Sequence, residues 1–159
     1  MVVLQVIGGG RMGEALVGGL LGAGGLRLAD VRIVEAVPAR RDELAARFPG
    51  IDVAAEVVAA EGNVVAVKPG DVRAACRALA AVGSSRVLSI AAGVTMAALE
   101  GDLAPGTPVV RAMPNTPALV GVGASAIAGG RAATSADLDW AEGLLGAVGS
   151  VVRVKEPLL

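Results

Sequence analysis

Short apolar runs rich in valine and isoleucine alternate along the chain with longer stretches in which apolar residues recur every three or four positions. The first kind of pattern predicts buried strands and the second predicts helices with one apolar face. Val2–Ile7 is the first predicted strand, followed by a helix from Arg11 to about Leu21. Val31–Glu35 is a second strand, and Pro38 opens a helix to about Phe48, the position proline prefers. Ile51–Val53 and Asn63–Val67 are predicted strands three and four. Asp71 is predicted to cap a helix to about Ala81. Arg86–Ile90, Pro108–Met113, Ala124–Ala128 and Val151–Val154 complete the strands. Thr95 caps a short helix to Leu99, and Ser135 caps one to about Leu145 with Asp137 and Asp139 in its first turn. The βαβαβ order implies right-handed crossovers and a mostly parallel sheet with helices on both faces. The last two strands are expected to extend one edge, with an antiparallel pairing there.

One junction in this pattern carries chemistry. The first strand runs directly into Gly8-Gly9-Gly10-Arg11-Met12-Gly13, a G-x-G-x-x-G that opens the first helix. The spacing alone is weak in a chain with 23 glycines. Between a buried strand and a helix, it reads as the phosphate-binding turn of a dinucleotide fold. Gly8 permits the tight turn, Gly10 lets backbone approach a pyrophosphate, and Gly13 lets helix and strand pack closely. The helix N-terminus then offers free N–H groups to phosphate.

Composition narrows the chemistry. The chain has 159 residues, which suits one domain or one domain and a fragment of another, and is 54% hydrophobic with one Phe, one Trp, no Tyr and no His. An aliphatic core of that kind suits a sheet covered on both faces. Absence of histidine excludes Ser-His-Asp and Cys-His nucleophilic systems, and a metal site built from carboxylates and one thiol is not expected. No residue stands out as catalytic acid or base, so a cofactor is expected to carry the chemistry. A net charge of −1, with 14 basic and 15 acidic residues interspersed, gives no nucleic-acid surface. The longest uncharged run, Ala112 to Gly130, holds two prolines and four glycines and makes a poor membrane span. No secretory leader pattern is present, and lone Cys76 fits a cytoplasmic location and a small core residue.

Further candidates fall at the carboxyl ends of the predicted strands, where open α/β sheets bind ligands. Glu35 could accept hydrogen bonds from an adenosine ribose, favouring NAD, or be a solvated strand-end charge. Arg40 and Arg41 follow closely and could instead meet the 2′-phosphate of NADP. Ala66-Val67-Lys68-Pro69 ends the fourth strand, and Lys68 is aimed either at the crevice or at solvent. Ala91-Ala92-Gly93 follow the fifth strand; residues this small admit a nicotinamide ribose or simply pack closely. Asn115, held between Pro114 and Pro117, can donate to and accept from a carboxamide or carboxylate, or belong to a merely rigid loop.

Four segments together resemble pyrroline-5-carboxylate reductase: Ile7 to Leu16, Ala66 to Pro69, Ser89-Ile90-Ala91-Ala92-Gly93-Val94-Thr95, and Arg111-Ala112-Met113-Pro114-Asn115-Thr116-Pro117-Ala118-Leu119-Val120-Gly121. The last is the most specific, and the resemblance runs from Val3 to the end. It implies an α/β fold of the Rossmann type, a doubly wound, mostly parallel sheet. It implies an oxidoreductase of proline biosynthesis, a branch of amino-acid biosynthesis, moving a hydride from NADP or NAD in reduced form to 1-pyrroline-5-carboxylate to give L-proline. It places cofactor contacts at Gly8, Gly10, Arg11, Met12 and Gly13, at Ala66–Pro69 and at Ala91–Gly93, with Asn115 beside the nicotinamide.

The resemblance also implies what would follow. Members of that family continue into a helical domain, opened by a Ser-Gly-Ser-Gly-Pro-type segment, that forms the dimer and holds the substrate carboxylate. Residues 1–154 are therefore expected to form the nucleotide-binding domain and 155–159 to begin a connection to such a domain. The isolated chain is expected to bind the dinucleotide and to reduce substrate weakly or not at all, and the full-length parent to be a homo-oligomer. Two other readings remain open at this level: a related imine or 3-hydroxyacid dehydrogenase, and a non-enzymatic nucleotide-binding module.

Overall fold

The structure, a computed structural model, describes residues 2–159. Its strands are β1 Val2–Ile7, β2 Val31–Val34, β3 Asp52–Ala54, β4 Ala60–Val65, β5 Arg86–Ser89, β6 Val109–Pro114, β7 Gly123–Gly129 and β8 Gly149–Arg153. The helices are α1 Arg11–Gly22, α2 Pro38–Arg47, α3 Val72–Ala81, α4 Met96–Asp102 and α5 Ser135–Gly146. All eight strands pair in one sheet, ordered β3-β2-β1-β4-β5-β6-β7-β8. Pairing is parallel from β3 through β6; β7 runs antiparallel to β6, and β8 is parallel to β7. The chain reverses direction between β1 and β4 in the sheet order, which leaves a crevice at their carboxyl ends.

The period of two in the strands builds a core on each face. Leu4, Val6, Val64, Leu88 and Val110 pack with Leu16, Val17 and Leu20 of α1 and Leu144 and Leu145 of α5. Their neighbours Ile7, Val65, Val87 and Val109 pack with Val72, Cys76 and Leu79 of α3 and Leu99 of α4. Buried polar residues interrupt the second face, Gln5 and Asn63 among them. Gln5 Nε2 donates to Asn63 Oδ1 (3.0 Å) and to the Val58 carbonyl (2.9 Å), and Gln5 Oε1 accepts from the Val58 amide. Asn63 Nδ2 donates to the Arg86 carbonyl. The pair is fully buried with its bonds made, so it fastens the segment after β3 to the sheet at little net cost.

Several boundaries differ from the sequence expectation for identifiable reasons. β4 begins at Ala60 and ends at Val65 rather than covering 63–67. Ala60, Glu61 and Gly62 carry no strand propensity, but β1 pairs with them and the Trp140 ring covers Gly62, where a Cβ would lie 2.6 Å from Cζ2. β3 is shifted one residue on, to Asp52–Ala54. Asp71 closes a short 3-10 turn, Pro69–Asp71, and its side chain does not cap α3. Thr95 does cap α4, accepting from the Ala98 amide at 3.2 Å, but the helix runs on to Asp102. α5 is capped by Thr134 rather than Ser135; the Asp137 carboxylate accepts from both the Thr134 amide and hydroxyl. Asp139 instead pairs with Arg153 of β8.

Candidate functional site

The glycine turn is built by close backbone contact. Gly8 has φ +104°, and a Cβ there would lie 2.5 Å from the Ala66 carbonyl oxygen. Its amide donates to the Val34 carbonyl at 2.8 Å, while the Ala66 amide donates to the Ile7 carbonyl at 2.7 Å. Gly8 thus seals the junction of β1, β2 and β4. A Cβ on Gly13 would lie 2.2 Å from the Gly8 carbonyl oxygen, so α1 sits as close to its strand as backbone allows. Gly10 differs from both. Its φ is −72° and nothing lies within 4 Å of where a Cβ would stand. Glycine is demanded there by neither strain nor packing, which leaves an exposed backbone open to a bulky ligand.

These glycines open onto a cleft of about 840 Å³ at the carboxyl ends of β1, β2 and β4. Gly8, Gly10, Glu35, Ala66, Val67 and Lys68 line it, bringing together six of the residues expected from sequence. Its far wall was not anticipated. Ala74, Ala78 and Ala81 of α3, with Ala55 and Val57, form an apolar surface facing the turn. Alanines at i, i+4 and i+7 were a visible signal of a low helix face, yet they bring no polar chemistry to notice. The volume falls within the range of ligand sites, and a mainly apolar wall with few polar groups suits a nucleobase and sugar.

Glu35 just follows β2. Its Oε2 accepts from the Gly9 amide at 2.8 Å and its Oε1 from the Val37 amide at 3.0 Å. The carboxylate therefore braces the glycine turn. Arg40 is equally committed: Nε donates to the Gly9 carbonyl, and the remaining nitrogens pair with Glu14 and Glu43. The hydrogen bonds to Glu14 and then Glu43 raise its pKa above the ordinary arginine value. Arg41 uses only Nη1, on the carbonyls of Glu35 and Ala36, two residues that line the cleft.

The other expected residues lie beyond the cleft lining. Arg11 is exposed and borders a second cleft, of about 460 Å³, with Arg47 and Ala118–Gly121. Met12 packs partly into the core, and Pro69 begins the 3-10 turn. Ala91, Ala92 and Gly93 follow β5, the neighbour of β4; Ala91 is buried and the other two are exposed. Asn115 is exposed, and its Oδ1 accepts from the Ala124 amide at 2.9 Å, so the loop after β6 is tied to β7 and the amide –NH₂ stays outward.

Cys76 is fully buried in α3. Burial, with a smaller contribution from Asp102, pushes its thiol up to about 11. The thiolate is the reactive form, so the folded chain is expected to resist a thiol reagent at pH 8 and to react at once in denaturant. Rapid labelling of the folded chain overturns that expectation. Because folding raises this pKa, its contribution to stability is intact below about pH 9 and declines as pH rises toward 11. Among the described residues no group of histidine, cysteine and carboxylates could hold a metal, and no helix is long and apolar enough to cross a membrane.

The sequence and the fold match known proteins. The family described as NADP oxidoreductase, coenzyme F420-dependent, matches residues 3–93. The chain is 40% identical over its full length to pyrroline-5-carboxylate reductase of Mycobacterium tuberculosis, covering 57% of that protein. It is 42% identical over 92% of its length to the Pseudomonas aeruginosa protein of the same name, covering 55% of it. Among solved structures, a pyrroline-5-carboxylate reductase from Coxiella burnetii superposes with a TM-score of 0.88 at 30% identity, covering 96% of this chain and 58% of that one. The chain thus spans little more than half the length of these relatives.

Proposed function

The chain belongs to the family of coenzyme F420-dependent NADP oxidoreductases, and on that premise we propose that it is the nucleotide-binding part of a pyrroline-5-carboxylate reductase, acting in proline biosynthesis. The observation that carries the cofactor half is the unobstructed Gly10 backbone at the head of the 840 Å³ cleft. The bound cofactor supplies the hydride that reduces the C=N bond of 1-pyrroline-5-carboxylate to L-proline.

The chain's own residues orient and shield. In this reading Gly8, Gly10, Arg11, Met12 and Gly13 receive the pyrophosphate at the start of α1. Glu35 would stand beside the adenosine ribose, and the α3 alanines would cover the base. Ala66–Pro69 and Ala91–Gly93 bed the remainder of the dinucleotide, and the outward amide of Asn115 meets its nicotinamide end. No side chain of this set is needed as acid or base, because a cyclic imine can arrive already protonated and an iminium accepts hydride readily. What the reaction needs is closeness and exclusion of water. Residues 1–154 form the nucleotide-binding domain in this proposal, and 155–159 lead toward the part of the relatives that this chain does not span. The whole protein is proposed to be a cytoplasmic homo-oligomer. Similarity to pyrroline-5-carboxylate reductases over the entire chain favours this reading over a 3-hydroxyacid dehydrogenase or a module without catalysis.

Titration of the chain with NADPH and with NADH, followed by nicotinamide fluorescence, tests the cofactor assignment. Saturable binding, with NADPH the tighter ligand, is expected. Failure of both to bind removes the assignment.

A further inference from the structure

Arg111 lies in the middle of β6, in register with Ser89, the last residue of β5. It is only 7% exposed. Its Nη1 donates to Glu156 Oε1 at 3.0 Å, and its Nε has no hydrogen-bond partner among the described residues. The same Glu156 oxygen accepts from the Met96 amide, the first residue of α4, at 2.6 Å. One carboxylate oxygen, carried by the 3-10 turn Glu156–Leu158 after β8, therefore joins two elements that are 45 and 60 residues away in sequence. Both lead straight into the cofactor site proposed above. Ala91–Gly93 lie just before Thr95, the cap of α4, and Asn115 directly follows the strand that carries Arg111.

Apolar packing buries Ala91 and Met96 at the two ends of the first of these loops, but few hydrogen bonds fix the backbone between them. Beyond β5, the Ile90 amide donates to the Val65 carbonyl, the Ala91 amide reaches Ser89 Oγ at 3.4 Å, and Gly93 turns at φ +74°. A buried guanidinium without its carboxylate is strongly unfavourable, so Arg111 fixes where Glu156 sits and Glu156 fixes where α4 begins. We propose that Glu156 is a positioning residue: through Met96 and Arg111 it sets the loops at 91–95 and 114–116 against the nicotinamide half of the dinucleotide. This rests on the cofactor reading above. It leaves the adenosine half, built by β1, β2, β4 and α3, outside its reach.

The test separates the two halves in the full chain. Adenosine 2′,5′-bisphosphate occupies only the adenosine side, whereas NADPH occupies both. E156A is expected to weaken NADPH about tenfold, the scale of one charge-assisted hydrogen bond that orders a loop, and to leave adenosine 2′,5′-bisphosphate unchanged. Acetate, which fits the space vacated between Met96 and Arg111, is expected to restore NADPH binding where chloride of equal ionic strength does not. Equal NADPH affinity in variant and wild type, parallel loss of both ligands, or restoration by chloride as well as acetate overturns the proposal. Amide exchange provides a readout independent of cofactor: residues 91–99 are expected to exchange faster in E156A and residues 8–13 at the wild-type rate. Unchanged exchange at 91–99 overturns it. E156D, whose carboxylate is drawn back by one methylene from the Met96 amide and Arg111, makes the same comparison should E156A not fold. If wild type binds neither nucleotide, the cofactor reading fails, and the exchange comparison still decides whether Glu156 sets the loop.

Discussion

Alanine at Gly8 is expected to cost the fold, while alanine at Gly10 costs only the cofactor. At Gly8 the backbone is left-handed and the new methyl would stand 2.5 Å from the Ala66 carbonyl oxygen, a backbone atom with no rotamer to escape into. The conformational cost is roughly 1–2 kcal/mol, and overpacking adds about 1–3 kcal/mol. A loss of roughly 3 kcal/mol is a large share of the 5–15 kcal/mol that holds an ordinary domain together. It lowers Tm by about 10 °C for a chain of this size. Gly10 sits at φ −72° with empty space around it, so alanine there is expected to move stability by less than about 0.5 kcal/mol. The methyl would nonetheless project where a pyrophosphate must approach, and NADPH affinity is expected to fall at least about tenfold, since 1.4 kcal/mol of lost contact suffices. Thermal melting and NADPH titration of the two variants give the comparison. A Gly10→Ala protein that binds NADPH as wild type removes the pyrophosphate from this turn; a stable Gly8→Ala protein removes the strain argument.

The second large effect concerns the choice between cofactors. Arg41→Ala is expected to weaken NADPH by about tenfold or more and leave NADH within about twofold, because a charge-assisted bond to phosphate is worth about 1.5–3 kcal/mol. Two cations stand near the end of β2, and the structure separates them. Arg40 is consumed by Glu14, Glu43 and the Gly9 carbonyl, whereas Arg41 keeps Nε and Nη2 beyond its two carbonyl contacts. Glu35, the residue that would repel a 2′-phosphate, already accepts from two backbone amides, so its charge is partly spent on the turn. Arg40→Ala is expected to weaken both nucleotides together by loosening Gly9. If Arg41→Ala lowers NADH and NADPH affinity alike, Arg41 does not read the phosphate.

The sheet and the glycine turn were legible in the chain because their signals are local. An apolar run flowing into G-x-G-x-x-G placed β1, the turn and α1 to within a residue, and Pro38 and Thr95 marked two helix starts. What was not legible depends on partners distant in sequence. Ala60–Gly62 became strand only because β1 pairs with them and Trp140 roofs them. The apolar wall of the cleft is made of alanines, whose contribution is the space they leave. Glu35 was read for what it could offer a ribose, but which hydrogen bonds a carboxylate makes depends on how the neighbouring turn is folded. Glu156 lay in a segment expected to be mere connection, and nothing local tells it from any exposed acid.

Trp140 has a consequence of another kind. It is the only tryptophan in a chain with no tyrosine, it is fixed over β4, and the Arg86 guanidinium lies 4.6 Å from its ring centroid. All of the tryptophan emission thus originates from one rigid point in the sheet. Reduced nicotinamide absorbs light in the range where tryptophan emits, so the chain carries a built-in donor for any NADPH it binds. The efficiency of energy transfer between them becomes a ruler from the floor of the sheet to the reactive ring, with no label attached.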